Sequence, residues 1–326
     1  DLAGFTPPTA EQYLGFAREV IARFHQPGGR LRFVLSPSGP QRCTHDLLVG
    51  AHELAREIGT LFHIHVLESK SQVVAGEMEG RSLVRLMDDL GILSDHSALA
   101  HSIWINDEDI ALMADRGASA IHNPISNQKL GSGIMPWRKL HAAGVNVALG
   151  ADGTSTNDTP RMFDVLRSAA ILHNLSTPDY SQWPSVHEVL HAATMGGARA
   201  AQLHREIGSI EVGKRADLVV LDTNSLNFTP LNDLRHQLIH CENGTSVRMV
   251  LVDGEVVVED GRLTRVNEDD ILGELRAAMP AFRDQPFQRA ARRVVAALTG
   301  TIVLQIAAGS YVNAGETRQD REMRGC

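Results

Sequence analysis

The stretch Leu61–Glu68 reads LFHIHVLE and combines an apolar strand pattern with side chains capable of chemistry. Because side chains alternate across a β-strand, His63 and His65 share one face. Glu68 follows where a strand of this length opens into a loop. Neutral imidazole can hold a metal ion, and a carboxylate can move protons to and from a bound water. The stretch therefore predicts a buried strand that ends in a hydrolytic site.

The same rhythm of short apolar strand and amphipathic helix continues on both sides of this stretch. The predicted strands are Leu31–Leu35, Leu61–Glu68, Ala98–Ser102, Ala118–His122 and Val145–Gly150. The first predicted helix starts within 7–11 and runs to about residue 25. The later predicted helices are 44–58, 82–90, 107–116, 136–143, 161–174 and 186–195, and several are closed by glycine. Strands that alternate with helices form a parallel sheet buried on both faces. A doubly wound sheet and a (β/α)₈ barrel both fit this pattern.

The polar residues at the strand ends favour the barrel. His65, His101, His122 and Asp152 each lie at or just past the end of a successive predicted strand. In a barrel those ends surround one pocket, whereas a doubly wound sheet would spread them along an edge. About five strands are present where closure needs about eight. We therefore predict an α/β fold built as an incomplete (β/α)₈ TIM barrel, containing about strands 4–8.

The pattern changes after residue 205. Leu218–Leu221 and a hairpin across Asp253-Gly254 indicate a small antiparallel β layer, because Asp-Gly favours a two-residue hairpin turn. The predicted domains are 1–205, a partial barrel; 206–265, a small β-sandwich portion; and 266–326, a helical tail with a disordered C-terminus.

Composition excludes several classes of protein. A net charge of -8 over 326 residues argues against a nucleic-acid-binding or anionic-membrane-binding protein. No apolar run approaches the ~20 residues that a transmembrane helix needs. The 3 cysteines are isolated in the sequence, without metal-type or disulfide-type spacing, so we expect a cytoplasmic location.

The motifs together resemble the amidohydrolase superfamily, in the branch of cytosine deaminase-like enzymes, triazine hydrolases and adenosylhomocysteine deaminases. The matching motifs are HIHVLE (63–68), AHS (100–102), HNPISN (122–127), KLGSGI (129–134), LGADG (149–153) and GSIEVGKRADLV (208–219). No single motif is diagnostic, but their order and spacing are specific. The resemblance implies a metal-dependent hydrolase of a C–N bond other than a peptide bond. Its expected reaction is deamination of an amino-substituted heterocycle by metal-activated water.

The resemblance also implies roles for individual residues. His65 would be a metal ligand, and Asp152 would bind the metal and accept a proton from its water. Glu68 would shuttle protons, and His101 would support the developing charge on the substrate. His63 matches a histidine that is usually not a ligand. The implied cofactor is one divalent metal, with zinc the first expectation and iron the alternative.

Two departures from the family pattern affect these expectations. The family's other two ligands form an HxH pair at the first barrel strand, and no such pair precedes Leu31. We therefore expect a C-terminal fragment of a larger enzyme, inactive alone, and leave open a homo-oligomer of the full-length parent. Many relatives have a histidine in the loop after strand 4, where this chain has Gln41 and Arg42. With His101 and His122, these are the predicted substrate contacts.

Other interpretations remain open from sequence. The same site chemistry fits a triazine-type dechlorinase or N-dealkylase, and the fold could serve as a non-catalytic scaffold. His65 with Glu68 could be a buried structural pair, and Asp152 could cap a turn. His122 could anchor the turn at Asn123, and Asn127 is expected to stabilise a loop.

Overall fold

The computed structural model describes residues 8–283. The chain divides into two compact units, Asp1–Gly261 and Arg262–Cys326. Among the described residues, no helix has the length and apolar character needed to cross a membrane. The predicted division at residues 205 and 265 stays a prediction.

A parallel sheet forms the centre of the first unit. Its strands are β1 (Phe62–Val66), β2 (Ser97–His101), β3 (Ser119–His122) and β4 (Asn146–Leu149), hydrogen-bonded in that order. All three pairings are parallel. The carboxyl ends of the strands therefore lie along one edge, as an α/β fold requires.

Helices connect these strands. In the first unit they are α1 (Ala10–Phe24), α2 (His45–Glu57), α3 (Lys70–Met78), α4 (Leu83–Asp89), α5 (Asp107–Arg116), α6 (Pro124–Lys129), α7 (Trp137–Ala142), α8 (Thr154–Asn157), α9 (Met162–Leu172), α10 (Val186–His191), α11 (Gly197–Ala200) and α12 (Leu234–His240). A π-helical turn, Ala192–Gly196, joins α10 to α11.

The core explains why β1 carries its histidines on one face. Phe62, Ile64 and Val66 are fully buried and pack with apolar residues of α2 and α4. Burial of each such side chain stabilises the fold by roughly 1.5–3 kcal/mol. The alternate positions, His63 and His65, are only half-buried. Hydrophobic packing thus fixes the register that turns both imidazoles to the same side.

The structure corrects one predicted strand and adds five short helices. In Leu31–Leu35 only Leu35 makes a strand contact, an isolated parallel bridge to Phe62. Side chains take the hydrogen bonds of Phe33 instead: its backbone N–H donates to His25 Nδ1, and its carbonyl accepts from the Thr60 hydroxyl. The sheet therefore has 4 strands, where the sequence predicted about one more. Five short helices, each of 9 residues or fewer, were not predicted: α3, α6, α8, α11 and α12. Helices this short do not extend far enough to show a clear amphipathic repeat in the sequence.

An antiparallel sheet follows in the same unit. It contains β5 (Leu218–Leu221), β6 (Val247–Val252) and β7 (Glu255–Glu259), with β6 pairing both neighbours. Asp253 and Gly254 have φ of 52° and 79°, the left-handed conformation that a tight hairpin turn of this type needs. The predicted Asp-Gly hairpin is confirmed.

The second unit contains β8 (Arg262–Leu263) and α13 (Glu268–Arg283). Helix α13 confirms the start of the predicted tail helix. The rest of the predicted helical tail and the expected disorder of the C-terminus lie outside the described residues.

Candidate active site at the carboxyl edge of the parallel sheet

Backbone bends at the strand ends turn polar side chains into one volume. Four residues there have positive φ: Leu67 (51°), His101 (72°), Ser102 (46°) and Asp152 (63°). L-residues adopt this conformation at a cost, and such positions concentrate at functional sites. The bends lie at the ends of β1, β2 and β4, the strands that carry or precede His65, His101 and Asp152.

His101 lies at the centre of this volume and is 1% exposed. Its Nε2 lies 3.8 Å from Glu68 Oε2 and 3.9 Å from Asp152 Oδ2. The His65 ring stacks on it, with centroids 5.6 Å apart and planes inclined by 19°. The carboxylate side chains remain partly open, Glu68 26% and Asp152 20% exposed. Residues from three strands thus form one polar cluster that solvent can reach.

His65 is oriented by a backbone carbonyl. Its Nδ1 lies 2.8 Å from the Ser38 oxygen, which can only accept, so Nδ1 carries the hydrogen. The lone pair is then on Nε2. His63 lies on the same strand face, and burial, aided by the nearby histidines His65 and His101, lowers its pKa.

Asp152 is held as a carboxylate. The Ser126 hydroxyl donates to Oδ2 at 2.6 Å, and the Gly153 backbone N–H donates to Oδ1 at 2.7 Å. Burial acts to raise the pKa of Asp152, but these hydrogen bonds and the nearby His101 lower it overall. Asp152 can therefore accept a proton while already hydrogen-bonded in place.

Glu68 is held mainly through its backbone. Its N–H donates to Gln72 Oε1 at 2.6 Å, and its carboxylate accepts a long contact of 3.5 Å from the Ser132 hydroxyl. The carboxylate thus keeps freedom to move, which suits a residue that exchanges protons.

The predicted substrate contacts are placed differently from one another. Gln41 accepts a hydrogen bond of 3.2 Å from Gln72, beside β1, and exposed Arg42 donates to Ser38 at 3.4 Å. His122 is fully buried, and its Nε2 lies 3.1 Å from Nε2 of His173. Substrate contact by Gln41, Arg42 or His122 stays a prediction.

Several residues of the site were missed from the sequence. Ser126 bonds Asp152, and Asn127 bonds His101 Nδ1 at 2.8 Å. Both lie in the HNPISN motif, where Asn127 was expected to stabilise a loop and Ser126 was not singled out. His173, the partner of His122, has no sequence signal, since it is one of 15 histidines and lies at the end of a helix.

Two side chains of the site, His65 and Asp152, carry donor atoms that suit a divalent metal. Within residues 8–283, no three His, Cys, Asp or Glu side chains are grouped to hold an ion. The arrangement at His65 nevertheless follows a common ligand pattern, in which one imidazole nitrogen donates to a carbonyl and the other is free to bind metal. Asp152 adds a carboxylate oxygen, which also suits zinc.

Comparison with known proteins shows which family the chain matches. Residues 3–257 match the amidohydrolase family. The chain belongs to the amidohydrolase family. It is 36% identical over 251 residues to a 5'-deoxyadenosine deaminase of Methanosarcina mazei, covering 77% of this chain and 57% of that protein. It is 37% identical over 248 residues to a 5-methylthioadenosine/S-adenosylhomocysteine deaminase of Caldanaerobacter subterraneus, covering 76% and 57%.

Two solved structures that contain zinc share the fold. An adenosine deaminase from Xanthomonas campestris with bound zinc superposes with a TM-score of 0.79 at 30% identity, covering 84% of this chain and 62% of that chain. Atrazine chlorohydrolase from Arthrobacter aurescens, complexed with zinc, gives 0.79 at 25% identity, covering 84% and 62%. The chain spans little more than half the length of the curated relatives it matches.

Proposed function

We propose that this chain carries part of the active site of a hydrolytic deaminase that releases ammonia from an amino-substituted heterocycle. Its relatives are named as deaminases of adenosine derivatives, so an aminopurine nucleoside is the proposed substrate class. The observation that carries the proposal is the approach of His101 Nε2 to both Glu68 and Asp152.

Three side chains have separate roles in the proposed mechanism. Asp152 accepts the proton of the attacking water, because its hydrogen bonds keep it ionised and oriented. Glu68 delivers a proton to the ring nitrogen beside the reacting carbon and assists the departure of ammonia. His101 supports the charge that develops on the substrate, since its buried ring is fixed against the two carboxylates.

A metal completes the proposed chemistry. A divalent ion held by His65 and Asp152, zinc by analogy with the solved neighbours, would supply Lewis acidity and lower the pKa of a bound water. The two HxH ligands implied by the family resemblance stay a prediction.

We also propose that the parallel sheet is part of a TIM barrel, with β1–β4 as about strands 5–8 and the Leu35 bridge at the place expected for strand 4. The 4 parallel strands and the 57% coverage of the curated relatives support this interpretation. The low activity of the isolated chain, its cytoplasmic location and the oligomeric state of the full-length protein stay predictions.

The test is ammonia release by the product of the complete reading frame, supplied with zinc and a panel of aminopurine nucleosides. We expect Glu68→Gln to lower kcat by roughly 10²–10⁴-fold, because the amide keeps the shape but cannot transfer the proton. Glu79→Gln, at the exposed end of α3, is the control and should leave kcat unchanged.

Two outcomes would contradict the proposed deaminase activity. Halide or alkylamine release from a triazine without ammonia from any substrate would favour the dechlorinase or N-dealkylase. Absence of all three products from metal-loaded protein would favour a non-catalytic scaffold.

Metal binding tests the ligand assignment separately. In calorimetric titration with zinc, His65→Gln and Asp152→Asn should each weaken binding, because each removes a donor. His63→Gln is the matched control from the same strand face. Weaker zinc binding by His63→Gln than by His65→Gln would overturn the assignment.

A further inference from the structure

We propose that Asn127 is a positioning residue that fixes the orientation and tautomer of His101. The catalytic meaning of this role rests on the proposed function, whereas the tautomer does not. Asn127 is 1% exposed and lies in α6, the helix that follows β3. Its Oδ1 lies 2.8 Å from His101 Nδ1, across 26 residues of sequence.

The chemistry of the pair assigns the hydrogen. An amide oxygen only accepts hydrogen bonds, so His101 Nδ1 must donate. Nδ2 of Asn123 also lies near Nδ1, at 3.5 Å, but a ring nitrogen that carries hydrogen cannot accept. The contact to Asn127 is the shorter of the two and therefore determines the position of the hydrogen, because hydrogen bonds weaken beyond ordinary distances. Neutral His101 therefore presents the lone pair of Nε2 to the gap between Glu68 and Asp152.

Without Asn127 the opposite tautomer would be favoured. Nε2 lies within 4 Å of two carboxylate oxygens, at 3.8 Å and 3.9 Å. Carboxylates accept hydrogen bonds strongly, so they favour a hydrogen on Nε2. Asn127 opposes this preference by accepting the hydrogen of Nδ1. The nitrogen facing the reaction volume thus keeps its lone pair, and it can support developing charge only by accepting a hydrogen bond there.

The surroundings of Asn127 hold it for this task. Its backbone N–H donates to the Asn123 carbonyl at 3.0 Å, and its carbonyl accepts from Ser132 N–H at 2.9 Å. Its Nδ2 has no hydrogen-bond partner among the described residues, so the oxygen is the part of the amide that is used.

The segment 126–132 supports three site residues at once. Ser126 bonds Asp152, Asn127 bonds His101, and Ser132 contacts Glu68. These contacts join a single short segment to side chains from β1, β2 and β4. Of the three, only the Asn127 bond determines which ring nitrogen carries hydrogen.

The tautomer of His101 is measured by ¹⁵N NMR of the histidine-labelled chain, without metal or substrate, at a pH where the ring is neutral. His101→Gln assigns the resonances. We expect Nδ1–H in the unmodified chain and in Asn127→Asp, which keeps an acceptor. We expect a shift toward Nε2–H in Asn127→Leu, which has none. Asn146→Ala, at the opposite end of β4, loses amide hydrogen bonds to Ser119 and Gly196 and should leave the tautomer unchanged.

Activity of the complete reading-frame product gives the second readout. Asn127→Leu should lower kcat by roughly 10–100-fold with KM little changed, as for other residues that orient an active-site side chain. Asn127→Asp should recover part of the loss.

The outcomes separate the two proposals. Nε2–H in the unmodified chain, or an unchanged tautomer in Asn127→Leu, overturns the positioning role even if ammonia is released. If the tautomers are as expected but no product is released, the proposed function is overturned. The role of Asn127 as the residue that orients His101 is then still supported.

Discussion

At the scale of single residues, Ser126 helps to lower the pKa of Asp152. Burial acts to raise the pKa of Asp152, and the Ser126 hydroxyl, which donates to Oδ2, is the largest of several contacts that lower it. We predict that Ser126→Ala raises the pKa of Asp152. The measurement is a ¹³C carboxyl titration of the metal-free chain.

The free energy of unfolding should also depend on this pKa shift. A carboxylate whose folded pKa is lowered stabilises the fold above its ordinary pKa of 3.8, and this contribution is lost as the pH falls through the folded value. Ser126→Ala should therefore be less stable near neutral pH, with a smaller difference in strong acid. Ser97→Ala removes another buried hydroxyl bond, to Ile92, and is the control. An Asp152 pKa that moves equally in both variants would contradict the prediction.

The grouping of the candidate site residues could be predicted from sequence, but the contacts that support them could not. His65, His101 and Asp152 follow apolar strands, and parallel strands bring their carboxyl ends together. The support from Asn127 depends on where a short, unpredicted helix places its side chains. Its contact with His101 spans 26 residues, which no local periodicity encodes.

At the scale of elements, Gly196 permits the π-helical turn to lie against β4. Its backbone is helical, so conformation alone does not demand glycine. A Cβ there would overlap the carbonyl oxygen of Val147. We predict that Gly196→Ala lowers the free energy of unfolding by roughly 1–3 kcal/mol, because the turn must move away from the strand. Urea denaturation measures the change.

Gly15 is the matched control, since it also lies in a helix, α1, and no neighbouring atom lies within 4 Å of the position that a Cβ would take there. Gly15→Ala should stabilise the protein by up to about 1 kcal/mol, because alanine favours the helix. A destabilisation of the same size at both positions would show that close packing is not the cause at Gly196.

Element prediction succeeded where local chemistry agreed with packing. Helix α5 matches its predicted bounds, because Asn106 caps its start and Gly117 ends it at a φ of 75°. The Leu31–Leu35 prediction failed because the His25 and Thr60 side chains took the hydrogen bonds that a neighbouring strand would have supplied. The apolar pattern alone could not reveal that competition.

At the scale of the whole molecule, burial of histidine couples stability to pH. His122 and His173 share one hydrogen bond in the interior, and Trp137 packs against both rings. Burial lowers the pKa of His173 to about 4, aided by the positive charge of Arg138. Burial, with the neighbouring His173, also holds the pKa of His122 well below its usual 6.5. The folded protein thus keeps this pair neutral.

The sign of the pH effect follows from these shifts. The unfolded chain binds protons near the ordinary histidine pKa of 6.5, whereas the folded chain does not bind one at His173 until about 4. The contribution of the neutral His173 to the free energy of unfolding is therefore complete above pH 6.5 and is lost as the pH falls from 6.5 toward 4. The loss is up to about 1.4 kcal/mol per pH unit for each such histidine. His173→Gln should make the dependence of the free energy of unfolding on pH less steep. His45→Gln, at an exposed helix start, should not change it. Denaturant titrations of the three proteins across the window measure the slopes, and equal slopes for His173→Gln and the unmodified chain would show that the buried pair does not set the acid sensitivity.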